Sequence, residues 1–160
     1  MHSYGATCQW SGSTGAGYEN YNRTHNIELR GPGLRLDLSS DPAFSGDPAR
    51  ANPEQLLLAA AVSCQLLSFL AVAARARIDV VGYEDRAEAV MPEDDKPMRI
   101  TRIELHPEIT IASAAAPVHV SRLEHLVEIA HSECFIANSL RSEIVVKPTF
   151  SFVAQTRSAD

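Results

Sequence analysis

One segment dominates the hydrophobic pattern. Positions 56–74 carry no charged residue, and only Ser63, Cys64, Gln65 and Ser68 interrupt a run of leucine, alanine, valine and phenylalanine. A helix start precedes it. Asn52 is a good N-cap, Pro53 suits the first helical position, and Gln55 stands three after the cap, where its side chain can bond back. Glu54 adds a negative charge at the positive end of the helix dipole. The pattern predicts a helix over 56–77, apolar on nearly every face. Such a helix has to be covered all round, and a short chain has little material for that, which predicts an intertwined homodimer. The segment also approaches membrane-spanning length. Its central polar residues, with no second span and no aromatic belt, favour a buried helix of a soluble protein with no membrane partner.

The rest of the chain reads as strands and one further helix. Positions 6–10 read as a strand, and 25–30 and 34–38 as a hairpin around Gly31-Pro32-Gly33. A loop over 39–50 follows, with Asp41-Pro42 and Asp47-Pro48 in it. Strands are predicted at 79–90 and 99–111, joined by an exposed hairpin loop at 91–97. In the second, Thr101, Ile103, Leu105, Ile109 and Ile111 share one face; Arg102, Glu104, His106, Glu108 and Thr110 share the other. Pro117 is expected to open a second helix, with Val120, Leu123, Val127, Ala130 and Cys134 on its buried stripe. Positions 144–153 close the chain as a strand. The expected fold class is α+β, two long helices packed with mainly antiparallel sheet, in a single domain over 1–160.

Composition narrows the function. The chain has 160 residues, with 14 Lys+Arg against 20 Asp+Glu and a net charge of -6. An acidic chain without a basic cluster lacks the phosphate-neutralising charge that nucleic-acid binding needs, so no nucleic acid is expected. The cysteines are Cys8, Cys64 and Cys134, too few and too scattered for a secreted disulfide framework. The first residues lack the basic-then-apolar pattern of a secretory signal. A cytoplasmic location with reduced thiols is the expectation.

Cys64 lies inside the apolar helix beside Gln65 and Ser68, and Cys134 follows His131 by three positions. Free cysteine is among the most buried residue types, so both could be plain core residues. Their polar company on otherwise apolar faces argues for chemistry. A thiol reacts as thiolate, and at an ordinary pKa near 8.5 only about 3% is ionised at neutral pH. Lowering the pKa to about 6 would make ionisation nearly complete, a change of roughly 3.4 kcal/mol. Burial opposes that shift, so a cation from another segment is needed; Arg23, Arg50 and Arg75 are the candidates, with Glu54 available to hold the guanidinium. The histidines do not cluster at metal-ligand spacing. No phosphate-cradling loop or serine-hydrolase elbow is found. Cys8, in a strand-like segment, reads as a structural residue.

Asn52-Pro53-Glu54-Gln55-Leu56-Leu57-Leu58-Ala59-Ala60, followed by Ser63-Cys64, resembles the OsmC/Ohr family of osmotically inducible and organic-hydroperoxide-resistance proteins. The segment Ala130-His131-Ser132-Glu133-Cys134-Phe135-Ile136-Ala137-Asn138-Ser139 resembles the second-cysteine region of one branch. The resemblance implies an intertwined OsmC-like dimer, with sites formed by both chains, that reduces organic hydroperoxides. It makes Cys64 the peroxidatic and Cys134 the resolving cysteine. Glu54 becomes the partner of an activating arginine, taken as Arg23 with Arg50 as the fallback. It implies no metal, haem, flavin or nicotinamide cofactor, and a dithiol reductant of the lipoyl type. Many relatives carry proline after the second cysteine, where this chain has Phe135. An apolar entrance from Leu67, Phe69 or Phe135 would favour alkyl peroxides. The competing readings are a stress-response binding protein with idle cysteines and thiol-disulfide exchange on the same scaffold.

Overall fold

The computed structural model describes residues 1–113 and 118–154. The expected helix opening at Pro117 lies outside the described residues. The chain divides into two compact units, Met1–Leu57 and Leu58–Asp160.

The first unit is a three-stranded antiparallel sheet in the order β1 (Ala6–Gln9), β2 (His25–Leu29), β3 (Arg35–Leu38). Gly31 and Gly33 adopt φ of 105° and 66°, the left-handed conformations that let the β2–β3 hairpin turn at this point. The loop after β3 contains a 3-10 turn, Pro42–Phe44, capped by Asp41, whose carboxylate accepts the Ala43 N–H at 2.8 Å. The start of α1 (Pro53–Arg75) forms as the sequence dictates. Asn52 Oδ1 accepts the Gln55 N–H at 2.8 Å, and Gln55 Oε1 accepts the Asn52 N–H at 3.1 Å. This reciprocal pair satisfies donors that a helix start otherwise leaves open, and such a cap is typically worth about 1 kcal/mol.

The second unit is built on a ribbon of three arms. The first arm is β4 (Val80–Asp85) and β5 (Glu88–Val90), the central arm β6 (Arg102–Leu105) and β7 (Pro107–Ser113), the last β8 (Glu143–Val146) and β9 (Thr149–Ala154). The first two form the predicted hairpin, antiparallel through β5–β6 and β4–β7. Each predicted strand is broken in two at the same level. There the Asp85 carboxylate takes the His106 N–H at 2.8 Å in place of a ladder carbonyl, and Pro107 and Pro148 have no N–H to give. The last arm corrects the expectation of mainly antiparallel sheet in this unit, because β8 and β9 run parallel to β6 and β7. The inward alternation survives the break: Ile103, Leu105, Pro107, Ile109 and Ile111 are all buried.

Against that face pack α1 and α2 (Val120–Glu133). Phe69, Val72 and Ala73 of α1 meet Ile109, Ile111, Leu123, Leu126, Val127 and Ala130 in one core. Helix α1 ends at Arg75, two residues before the expected end, since Arg77 takes a left-handed φ of 58°. By length and composition α1 could cross a membrane, a test that core helices of soluble proteins also pass. Its core stripe is Ala61, Gln65, Phe69, Val72 and Ala73, while Ala59, Ala60, Ser63, Leu67, Leu70, Ala71 and Ala74 are exposed. Within one chain, then, α1 is covered on one side only.

Candidate active site

Helix α1 presents Cys64 half-buried, beside its core stripe, with Ser68 one turn later. Cys134 is not within α2, as its spacing suggested. It is the residue that ends the helix, with φ -70° and ψ 112°, and it is buried. This extended turn sends the chain back across α1. The Ile136 N–H reaches Cys64 Sγ at 3.5 Å, and the Ala137 N–H reaches Cys134 Sγ at 3.4 Å. The two cysteines, seventy positions apart, are hydrogen-bonded to each other as free thiols.

Their environments drive them apart electrostatically. Burial pushes the Cys64 thiol up, but hydrogen bonds from the Cys134 thiol, the Ile136 and Phe135 amides and the Ser68 hydroxyl outweigh it and hold Cys64 below its ordinary value. Cys134 is pushed up to about 11, first by burial and then by its bond to Cys64 and the charge there. The pair is therefore polarised, with Cys64 the readier of the two to ionise and Cys134 the S–H donor. Removing that donor in Cys134→Ala is expected to raise the Cys64 ionisation midpoint, since the thiolate loses its largest supporting bond. A pH series of Cys64 alkylation checks this: the rise of the rate with pH should move to higher pH than in the wild type.

Cys64 opens on a cavity of about 780 Å³, whose walls include Ala60, Leu67, Ala71, Phe135 and Ile136, with Ser63, Ser68, Ser132 and Asn138 as polar points. Leu67 and Phe135 line this entrance as expected, and Phe135 is 82% exposed. Phe69 does not; it points the other way into the core, with no exposed surface. Arg75 also lines the cavity, but Glu133 neutralises it at 2.6 Å.

The arginine candidates separate on their partners. Arg50 is paired with Asp47 at 3.2 Å and Asp37 at 3.8 Å. Arg23 is only 9% exposed and lies over the rings of Tyr21 and Tyr18, 4.0 and 4.8 Å from their centroids. Its guanidinium donates to the Tyr18 and Tyr21 carbonyls at 2.6 and 3.0 Å. The anticipated Arg23–Glu54 ion pair is not formed, because the tyrosines and carbonyls take the guanidinium instead. Both residues line one cavity of about 480 Å³ in the first unit, with Cys8, Trp10, Tyr21 and His25. Arg23 is thus a nearly buried cation without a carboxylate partner among the described residues. The Ile136 and Phe135 amide donors were not singled out from the sequence, since every residue type but proline supplies one.

The sequence pattern of the OsmC-like protein family matches residues 46–149. No curated protein sequence matches the chain. Among solved structures, an OsmC-like protein of unknown function from Vibrio cholerae is 29% identical, with a TM-score of 0.83, over 93% of this chain and 100% of its own. An organic hydroperoxide resistance protein from Elizabethkingia anophelis is 22% identical, with a TM-score of 0.70, over 96% of this chain and 98% of its own. The organic hydroperoxide resistance protein OhrB of Bacillus subtilis is 19% identical, with a TM-score of 0.58, over 94% and 98%. These last two share the fold. With the family pattern spanning both helices and both cysteines, this chain belongs to the OsmC-like protein family.

Proposed function

We propose that this chain is a thiol-dependent peroxidase that reduces organic hydroperoxides to alcohols. The observation that carries this reading is the polarised thiol pair at an apolar cavity, with Cys64 held toward thiolate and Cys134 kept protonated. A passive core needs no such asymmetry. Names of structural relatives point the same way, since two are organic hydroperoxide resistance proteins.

The reaction follows from the two sulfurs. The Cys64 thiolate attacks the distal peroxide oxygen; the O–O bond breaks, the departing alkoxide takes a proton from solvent and leaves as the alcohol, and Cys64 becomes a sulfenic acid. The Cys134 sulfur then attacks that sulfur, the S–O bond breaks, and water leaves as the Cys64–Cys134 disulfide forms. A dithiol reductant, lipoyl-type by family resemblance, returns both thiols by exchange and is itself oxidised. The leucine and phenylalanine at the cavity mouth favour alkyl peroxides over hydrogen peroxide. Arg23 and Glu54 are proposed to complete the site in an intertwined homodimer, which would also cover the exposed apolar side of α1. The cytoplasm, with its reduced thiol pool, suits this cycle.

Cys134→Ser tests the assignment of roles. It should consume one equivalent of cumene hydroperoxide and then stall, with a sulfenic acid on Cys64 that dimedone traps. No first turnover would mean that the roles are wrongly assigned. Rapid loss of thiols to disulfides, with hydroperoxide untouched by the wild type, would favour disulfide exchange instead.

A further inference from the structure

Cys64 lies deep inside α1, far beyond the first turn, where the dipole of a helix start acts. The charged side chains on its cavity wall are Arg75 from α1 and Glu133 from α2, and they neutralise each other at 2.6 Å. The other titratable group facing Cys64 is Cys134, which donates its proton as a neutral thiol. Among the described residues of this unit, therefore, the cavity wall supplies no net cation to the Cys64 sulfur.

What does meet it is backbone. Where the chain leaves α2 it turns from extended at Cys134 (φ -70°, ψ 112°) to helical at Ile136 (φ -69°, ψ -44°). Consecutive amides are thereby aimed at the two sulfurs: Ile136 N–H at Cys64, Ala137 N–H at Cys134, with the Phe135 amide adding to the first. Successive N–H groups converging on one side of a turn make a concavity that suits an anion. Position 135 contributes its amide and not its packing, since the phenylalanine side chain is 82% exposed.

The geometry points to the main chain after α2 as a catalytic anion cradle: the Ile136 and Phe135 N–H groups stabilise charge on Cys64, as thiolate before peroxide attack and as sulfenate after it. This rests on the peroxidase reading for its purpose, but the cradle itself is a property of the resting thiol.

The test reads ionisation without any peroxide. Iodoacetamide labelling of Cys64 across pH is followed by peptide mass spectrometry, so that Cys8 and Cys134 are counted separately. An ester in place of the 135–136 peptide bond removes the Ile136 N–H and keeps every side chain. It should cut the thiolate fraction below the midpoint about ten-fold, one unit of pKa. Phe135→Pro should move the midpoint in the same direction by less, since the extended ψ of Cys134 already suits a following proline. Phe135→Ala, which keeps the N–H, should leave it in place. An unmoved midpoint in the ester protein, or a ten-fold thiolate loss in Phe135→Ala, would overturn the cradle. A shifted midpoint in a chain that consumes no hydroperoxide would keep the cradle and remove the peroxidase.

Discussion

Cys64→Ser is expected to lower hydroperoxide reduction by at least about a thousand-fold while leaving the fold intact. A serine hydroxyl stays protonated at neutral pH and lacks the nucleophilicity of a thiolate. Nor can the neighbouring sulfur take over. Burial, the first cause of the upward shift of Cys134, persists in the variant and keeps that thiol protonated at neutral pH. Cys8 lies in the first unit, exposed on β1, without the donors that support Cys64. The change in stability should stay within about 1 kcal/mol, because Cys64 is half-buried and serine is close in size. Stopped-flow kinetics with cumene hydroperoxide, beside a thermal melt, checks both. A tenth of the wild-type rate remaining would show that another group does the chemistry.

Phe69→Ala is expected to be the most damaging single change to the fold, at about 3–5 kcal/mol. The ring has no exposed surface, packs tilted on Tyr83 at 6.3 Å between centroids, and joins α1 to β7 and α2. Removing it leaves a void that the surrounding Ile109, Ile111 and Leu123 cannot all close. Since whole domains are stable by only about 5–15 kcal/mol, much of the folded margin would go. The site should suffer as well, because Phe69 fixes the helix that carries Cys64 one turn earlier. Urea unfolding measures the loss; a change below about 1 kcal/mol would contradict this account of the core.

Much of this architecture is written locally. The Asn52–Gln55 cap, the Gly31-Pro32-Gly33 turn and the alternation from Ile103 to Ile111 each depend on neighbours in sequence, so their residue types declare them. The parallel pairing of β8 and β9 does not. It joins Ile144 to Ile103 and Phe150 to Ile109, across about forty positions, and an alternating strand looks the same whichever direction its partner runs. The breaks in the arms did carry a signal in Pro107 and Pro148, which reading each arm as one strand passed over.

The site divides in the same way. Cys64 and Cys134 stood out because polar residues accompany them on apolar faces, but only the family resemblance implied that they meet. The donors that polarise them are amides, which no residue letter announces. Arg23 was chosen over Arg50 on resemblance. The two differ in their partners: Asp37 and Asp47 occupy Arg50, while Tyr18 and Tyr21 hold Arg23 as a buried cation. Phe69 was misplaced at the entrance because it follows Cys64 by five positions, which on a helix turns it roughly 140° away, onto the core side.

The most direct test of the central claim is a thiol map after one turnover. Fully reduced protein receives one equivalent of cumene hydroperoxide per chain, is quenched with an alkylating agent, and is digested for mass spectrometry. The account predicts consumption of the peroxide, loss of two thiols per chain, a linked pair of peptides joining Cys64 to Cys134, and a free Cys8. Three free thiols with the hydroperoxide intact, or a disulfide that excludes Cys64, would contradict it.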